Sequence, residues 1–211
     1  HYPMHAPKSY LDRYPELPSD RRIMAAMISA LDDGVGSIVN ALKASGEYEN
    51  TMIFFSSDNG PSREARNWLD GNEDHYYGGT AGIFRGHKGS IYEAGIREPT
   101  IMSFPGRIPA GQVCGQVGAM FDVLPTFFDF AGLDLPRDLQ IDGKSVAQTV
   151  TEGLDSPHHQ LFWEYAASQT AVRQGKWKLT VNGRDDNKAG LQPRDPDLPE
   201  QVHLADLSAD P

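Results

Sequence analysis

Apolar residues recur every three or four positions from Ile23 through Met27, Leu31, Val35 and Ile38 to Leu42. That spacing lays one stripe along a helix. Asp20 stands where an N-cap is expected and Gly46 where a helix ends, so the pattern predicts a helix from Asp20 to about Ser45 with a buried face. Gly34 and Gly36 weaken it locally and allow close approach to a neighbouring sheet. Thr51–Phe55 follows as a short, continuous β-favouring run, the mark of a strand covered on both faces. Thr100–Phe104, between Pro99 and Pro105, reads the same way. A helix then fits Asp122–Ala131, with Val123, Phe127 and Phe130 on one face and Gly132 at its end. Beyond Pro136 the pattern shortens: Leu161–Tyr165 and Ala171–Leu179, around a Gln-Gly turn, predict a small set of paired strands. Residues 1–19, 60–90 and 184–200 read as loops. The predicted class is α/β: residues 1–149 form part of a mostly parallel sheet covered by helices, and 150–211 a small C-terminal antiparallel β subdomain.

Composition narrows the picture. The chain has 211 residues, 39% hydrophobic and 23% charged, an ordinary globular balance. A net charge of −10 without a basic patch argues against a nucleic-acid partner. The one cysteine, Cys114, excludes an intrachain disulfide framework. No apolar run is long enough to be expected to span a membrane. The chain opens on His-Tyr-Pro and closes on Leu-Ser-Ala-Asp-Pro, which reads as a piece of a longer protein.

Candidate chemistry begins at Asp58-Asn59-Gly60, directly after the first strand, where open α/β sheets bind ligands. A carboxylate beside an amide carbonyl offers two hard oxygens, suited to Ca²⁺ or Mg²⁺, and Gly60 permits the sharp turn that sharing one ion requires. As an isolated tripeptide it is also ordinary turn chemistry. Lys88 lies between Gly86 and Gly89 with only His87 intervening, where an ammonium can approach an anion without crowding. His1 and His5 sit in a loop punctuated by Pro3 and Pro7, so their spacing is not that of helical metal ligands. Either can serve an anion or a leaving group. Asn59-Gly-Pro-Ser-Arg63 imitates a Cys-x-Pro-Ser-Arg signature with its first residue replaced.

Read in series, several segments resemble the sulfatase family, in particular its arylsulfatase branch within the alkaline phosphatase superfamily. They are His1-Tyr-Pro, Leu31-Asp-Asp-Gly-Val-Gly, Phe55-Ser-Ser-Asp-Asn-Gly, Gly86-His-Lys-Gly-Ser-Ile-Tyr-Glu-Ala-Gly-Ile-Arg-Glu-Pro99, Asp122-Val-Leu-Pro-Thr-Phe-Phe-Asp-Phe-Ala-Gly, Ile141-Asp-Gly-Lys-Ser and Asp206-Leu-Ser-Ala-Asp-Pro. The resemblance implies a sulfuric ester hydrolase whose nucleophile, a formylglycine made from Cys or Ser, lies upstream of His1. It implies that Asp58 and Asn59 are two ligands of one Ca²⁺ ion partly held from outside this chain. Lys88 would contact the sulfate group, and His1 would attend the ester oxygen as the alcohol departs. His87 carries no implied role, and Glu93 and Arg97 would hold the loop after Lys88. Asn59 lacks a Cβ thiol or hydroxyl and is itself an implied ligand, so Pro61-Ser62-Arg63 is a coincidental echo of the signature. The implied substrate is a sulfated small molecule or saccharide. The loop from Arg63 to Arg85, with Trp68, His75, Tyr76 and Tyr77, would shape specificity. The missing N-terminal part of the same protein would complete the site. Exported family members imply a periplasmic or secreted location. The rival readings are a phosphomonoester or phosphonate monoester hydrolase of the same superfamily and a non-catalytic binding module.

Overall fold

The computed structural model describes residues 4–62, 79–165, 168–185 and 199–211. A one-turn helix α1 (Lys8–Leu11) interrupts the expected N-terminal loop, and the long helix α2 spans Ser19–Ser45. Its cap differs from expectation. Pro18 occupies the N-cap with φ −54°, no side chain caps the first turn, and Asp20 lies inside it. There its carboxylate favours the positive end of the helix dipole. Gly46 closes the helix in the left-handed region at φ 80°, as the sequence demands. The stripe itself is not buried: Leu31 and Ile38 are 55% and 62% exposed, and Ala26 is the one buried residue of the helix. α2 also proves long and apolar enough, by length and composition, to cross a membrane, with mean hydropathy 1.2 over 18 residues. Asp32 and Asp33 stand in its middle, however, and Asp33 pairs with Arg13 at 2.9 Å, contacts suited to a helix facing water.

β1 (Ile53–Ser56) and β2 (Thr100–Ser103) are the first two expected strands, and they pair with each other antiparallel, Phe54 opposite Met102 and Ser56 opposite Thr100. An apolar run signals covering, not strand direction, so the pattern could not separate this pair from neighbours in a parallel sheet. Between them lies the short helix α3 (Glu93–Ile96), all but its last residue buried. A 3₁₀ turn over Met120–Asp122 leads into α4 (Val123–Ala131), with Pro125 tolerated in the first turn. The buried residues of α4 are Pro125 and Thr126, not the expected Phe127. Asp122, just before it, decides this orientation. Its buried carboxylate accepts from the backbone N–H of Ala119 and Lys144 and from His158 Nε2, at 2.8, 2.9 and 2.7 Å. α5 (Ala147–Glu152) runs across the boundary expected at residue 150, so a division there would cut a helix.

The C-terminal sheet is a four-stranded antiparallel meander of β3 (Leu161–Tyr165), β4 (Gln169–Gln174), β5 (Trp177–Val181) and β6 (Val202–Asp206). Gln174 pairs with Trp177, so the β4–β5 turn is centred on Gly175 and Lys176, one residue later than expected, and Gly175 supplies φ 56°. β6 lay outside the sequence expectation. Strand alternation buries Gln169, Ala171, Lys178 and Thr180 on one face and leaves Phe162, Trp177, Val202 and Leu204 exposed on the other.

Candidate active site

Chain direction brings the sequence candidates together. Ser57–Pro61 leaves the end of β1, and the segment 84–99 returns to it before β2 begins. Asp58, Asn59 and Lys88 line a single cleft of about 620 Å³, together with Ser57, Phe84, Arg97 and Glu98. Two backbone contacts clamp the loops. The Lys88 N–H donates to the Pro61 carbonyl at 3.0 Å, and Gly60 lies against the Ala94 carbonyl, where a Cβ would sit 1.8 Å from its oxygen. Gly60 is therefore required for close approach. Its φ lies outside the left-handed region, so what requires glycine here is the missing side chain.

Lys88 is presented by its neighbours. Gly86 and Gly89, on either side, take φ 96° and 86°, a conformation that other residues rarely adopt. His87 points the opposite way, buried, with Nδ1 donating to the Lys88 carbonyl at 2.7 Å. The Lys88 side chain is left exposed at the cleft. Arg97 sits over the Phe84 ring, 4.4 Å from its centroid, and lines the same cleft.

Glu98 is a cleft residue with no signal in the spacing. Its Oε1 is buried without a hydrogen-bond partner among the described residues. Burial, and after it the charge of Asp58, holds its carboxyl above the ordinary value, while a hydrogen bond from Ser57 works against the shift. The cleft thus combines two carboxyls close enough to repel each other with an amide carbonyl. Such a donor set fits a hard divalent cation. Among the described residues no three His, Cys, Asp or Glu side chains are placed to hold a metal by themselves.

His1 lies outside the described residues, as do Arg63 and the aromatic residues Trp68, His75, Tyr76 and Tyr77. His5 is described and exposed. Glu93 and Arg97 join within the segment after Lys88: Glu93 is the buried first residue of α3 and pairs with Arg97 at 3.7 Å.

Two loops beyond a β-strand thus present hard oxygens and a cation to one cleft. Comparison with known proteins specifies the class further. The Sulfatase family profile matches residues 1–133, and a profile for the C-terminal part of N-sulphoglucosamine sulphohydrolase matches residues 79–206. Arylsulfatase J of Mus musculus is 33% identical over 180 residues, covering 84% of this chain and 28% of that protein. An arylsulfatase of Hemicentrotus pulcherrimus is 37% identical over 165 residues, 77% of this chain and 28% of that protein. Among solved structures, Ps i-CgsB in complex with k-i-k-neocarrahexaose superposes with TM-score 0.75 at 27% identity, over 100% of this chain and 42% of that one. PsFucS1 sulfatase from Pseudoalteromonas sp. superposes with TM-score 0.73 at 24% identity, which shows a shared fold. The chain belongs to the sulfatase family. It spans about a third or less of the length of the curated relatives named here.

Proposed function

We propose that this chain is part of a sulfuric ester hydrolase that converts the sulfate monoester of a saccharide or aryl alcohol to the alcohol and sulfate. One observation carries the reading: the adjacent Asp58 and Asn59 and the sequence-distant Lys88 line one cleft, where their loops are clamped through backbone groups. Lys88 donates from its ammonium to a sulfate oxygen and follows the charge that grows on the transferred group. His1, assigned by motif, protonates the departing alcohol oxygen. Asp58 and Asn59 are the residues of this chain that would hold a Ca²⁺ ion, with Glu98 behind them; such an ion supplies positive charge against the sulfate oxygens. A formylglycine upstream of His1 would supply the nucleophile.

The matched relatives are longer, and their additional length supports further parts of the reading. An upstream portion of the same protein completes the ligand set, extends β1–β2 into a mostly parallel sheet and covers exposed apolar residues on α2. We place the division between the two parts in the segment between α5 and β3, not at residue 150. The relatives named for a saccharide sulfate, such as N-acetylgalactosamine-6-sulfatase of Homo sapiens, 31% identical over 193 residues, favour a sulfated sugar. An exported location, periplasmic or secreted, is part of the same proposal.

The test is steady-state kinetics of the whole protein on paired sulfate and phosphate esters, wild type beside Lys88→Ala. The expected result is turnover of the sulfate ester and a kcat loss of about 10²–10³ for Lys88→Ala, the range for losing one donor to developing charge. Preferential turnover of the phosphate ester would move the assignment to a phosphomonoester hydrolase. An unchanged kcat in Lys88→Ala would remove Lys88 from the chemistry.

A further inference from the structure

The C-terminal sheet buries charged and polar residues on its inner face. Phe162, Val172, Leu179 and Leu204 lie in register across all four strands on the outer side, with Phe162 and Leu204 69% and 61% exposed. Lys178 and Thr180 are buried on the inner side. A lysine goes inside where a partner waits for it. Here the partner is Glu93, 85 residues earlier: Lys178 Nζ donates to Oε1 at 2.8 Å, with the two side chains 3% and 4% exposed. Arg173, on the neighbouring strand β4, donates to Oε2 at 3.3 Å, and Arg97 approaches the same oxygen at 3.7 Å. One buried carboxylate meets three cations.

A buried ion pair is weak evidence for stability, because apolar residues of the same volume pack as well or better. Its effect here is on location. Glu93 opens α3, five residues after Lys88, and its carboxylate is fixed from two strands of the sheet. The same segment is held at two further points. Arg85 pairs with Asp185 at 2.8 Å, just beyond β5, and the Tyr92 ring meets His203 of β6 edge-on, with centroids 5.8 Å apart. Lys88 lies between these anchors, with its N–H on Pro61 from the other side. Lys178 and Arg173 themselves do not line the Lys88 cleft.

We infer that Lys178 and Arg173 are positioning residues: through Glu93 they set the register of the 85–97 segment and so the place of the Lys88 ammonium. This rests on the proposed role of Lys88 toward the sulfate group. A displacement of about 1 Å at a reacting group is enough to cost about a hundredfold in rate, so the arrangement has a kinetic signature.

The experiment uses the whole protein and a chromogenic aryl sulfate, with kcat and KM measured for Lys88→Ala, Lys178→Met, their double variant and Lys178→Arg. The expected result is a kcat loss of about 10–100-fold for Lys178→Met. The double variant should be no slower than Lys88→Ala alone, because the two act through one group. Lys178→Arg should recover most of the rate. Should Lys178→Met fail to fold, Arg173→Gln, at the more exposed of the two positioning residues, carries the same comparison. A lowered Tm with full kcat, or losses that multiply in the double variant, would overturn the inference and leave Lys88 in its role. A Lys88→Ala variant with full kcat would overturn both.

Discussion

Gly60 takes an ordinary backbone conformation, yet no side chain fits there, because the Ala94 carbonyl oxygen already occupies the place of a Cβ. Gly34, in the middle of α2, has nothing within 4 Å of the same position. The two glycines therefore answer the same substitution in opposite ways. Gly60→Ala is expected to destabilise by about 3 kcal/mol through forced separation of the two cleft loops. Gly34→Ala is expected to stabilise by up to about 1 kcal/mol through helix propensity. Urea denaturation of the two variants checks this; a Gly60→Ala midpoint equal to wild type would show that the loops part freely. At this scale the site was legible where chemistry lies in neighbouring letters. Asp58-Asn59 follows a strand, and Lys88 is flanked by glycines. Glu98 was not legible, because its standing depends on burial beside Asp58, across 40 residues of chain. Lys178 escaped notice for a similar reason, since a lysine in a strand gives no sign of which face is inward.

Elements with a strong period were read with bounds close to those observed. α2 begins one residue from its expected start and ends at Ser45, and β3 matches its expectation residue for residue. What failed were features that no period carries: the single turn of α1 among prolines, the antiparallel sense of β1 and β2, and β6. This last strand is held partly by its end. Asp206 accepts from Lys176 Nζ at 2.7 Å and from the Ser208 hydroxyl at 2.6 Å, and these bonds lower its carboxyl from 3.8 to about 2. A depressed carboxylate stabilises the fold above its ordinary value and loses that contribution as pH falls toward the folded one. The β6 end is therefore expected to loosen between pH 3.8 and about 2. An acid titration followed by circular dichroism, wild type against Asp206→Asn, should show a step in this window that the variant lacks. The same step in both would assign it to other carboxyls.

Across the whole molecule, apolar residues remain in the open on several faces: Ile28, Leu31 and Ile38 on α2, Ile101 on β2, and Phe162, Val202 and Leu204 on the outer side of the C-terminal sheet. Patches of this kind mark surfaces that another part covers. The 211 residues expressed alone are expected to bind an apolar dye and to associate at micromolar concentration, whereas the whole protein does neither. Sedimentation velocity with dye binding on both decides it, and a monomeric, dye-silent chain would contradict the covering proposed above. The two joins of the Lys88 segment also differ in kind. Against the Asp58 loop it is held by main-chain atoms, which any sequence supplies provided Gly60 is kept. Against the sheet it is held by side chains, which mutation can exchange. The rear of the molecule is thus the adjustable side: substitutions on the inner face of β4 and β5 reach the Lys88 segment from behind while the cleft's own lining stays untouched, which makes those strands the place to begin when altering the placement of Lys88 by design.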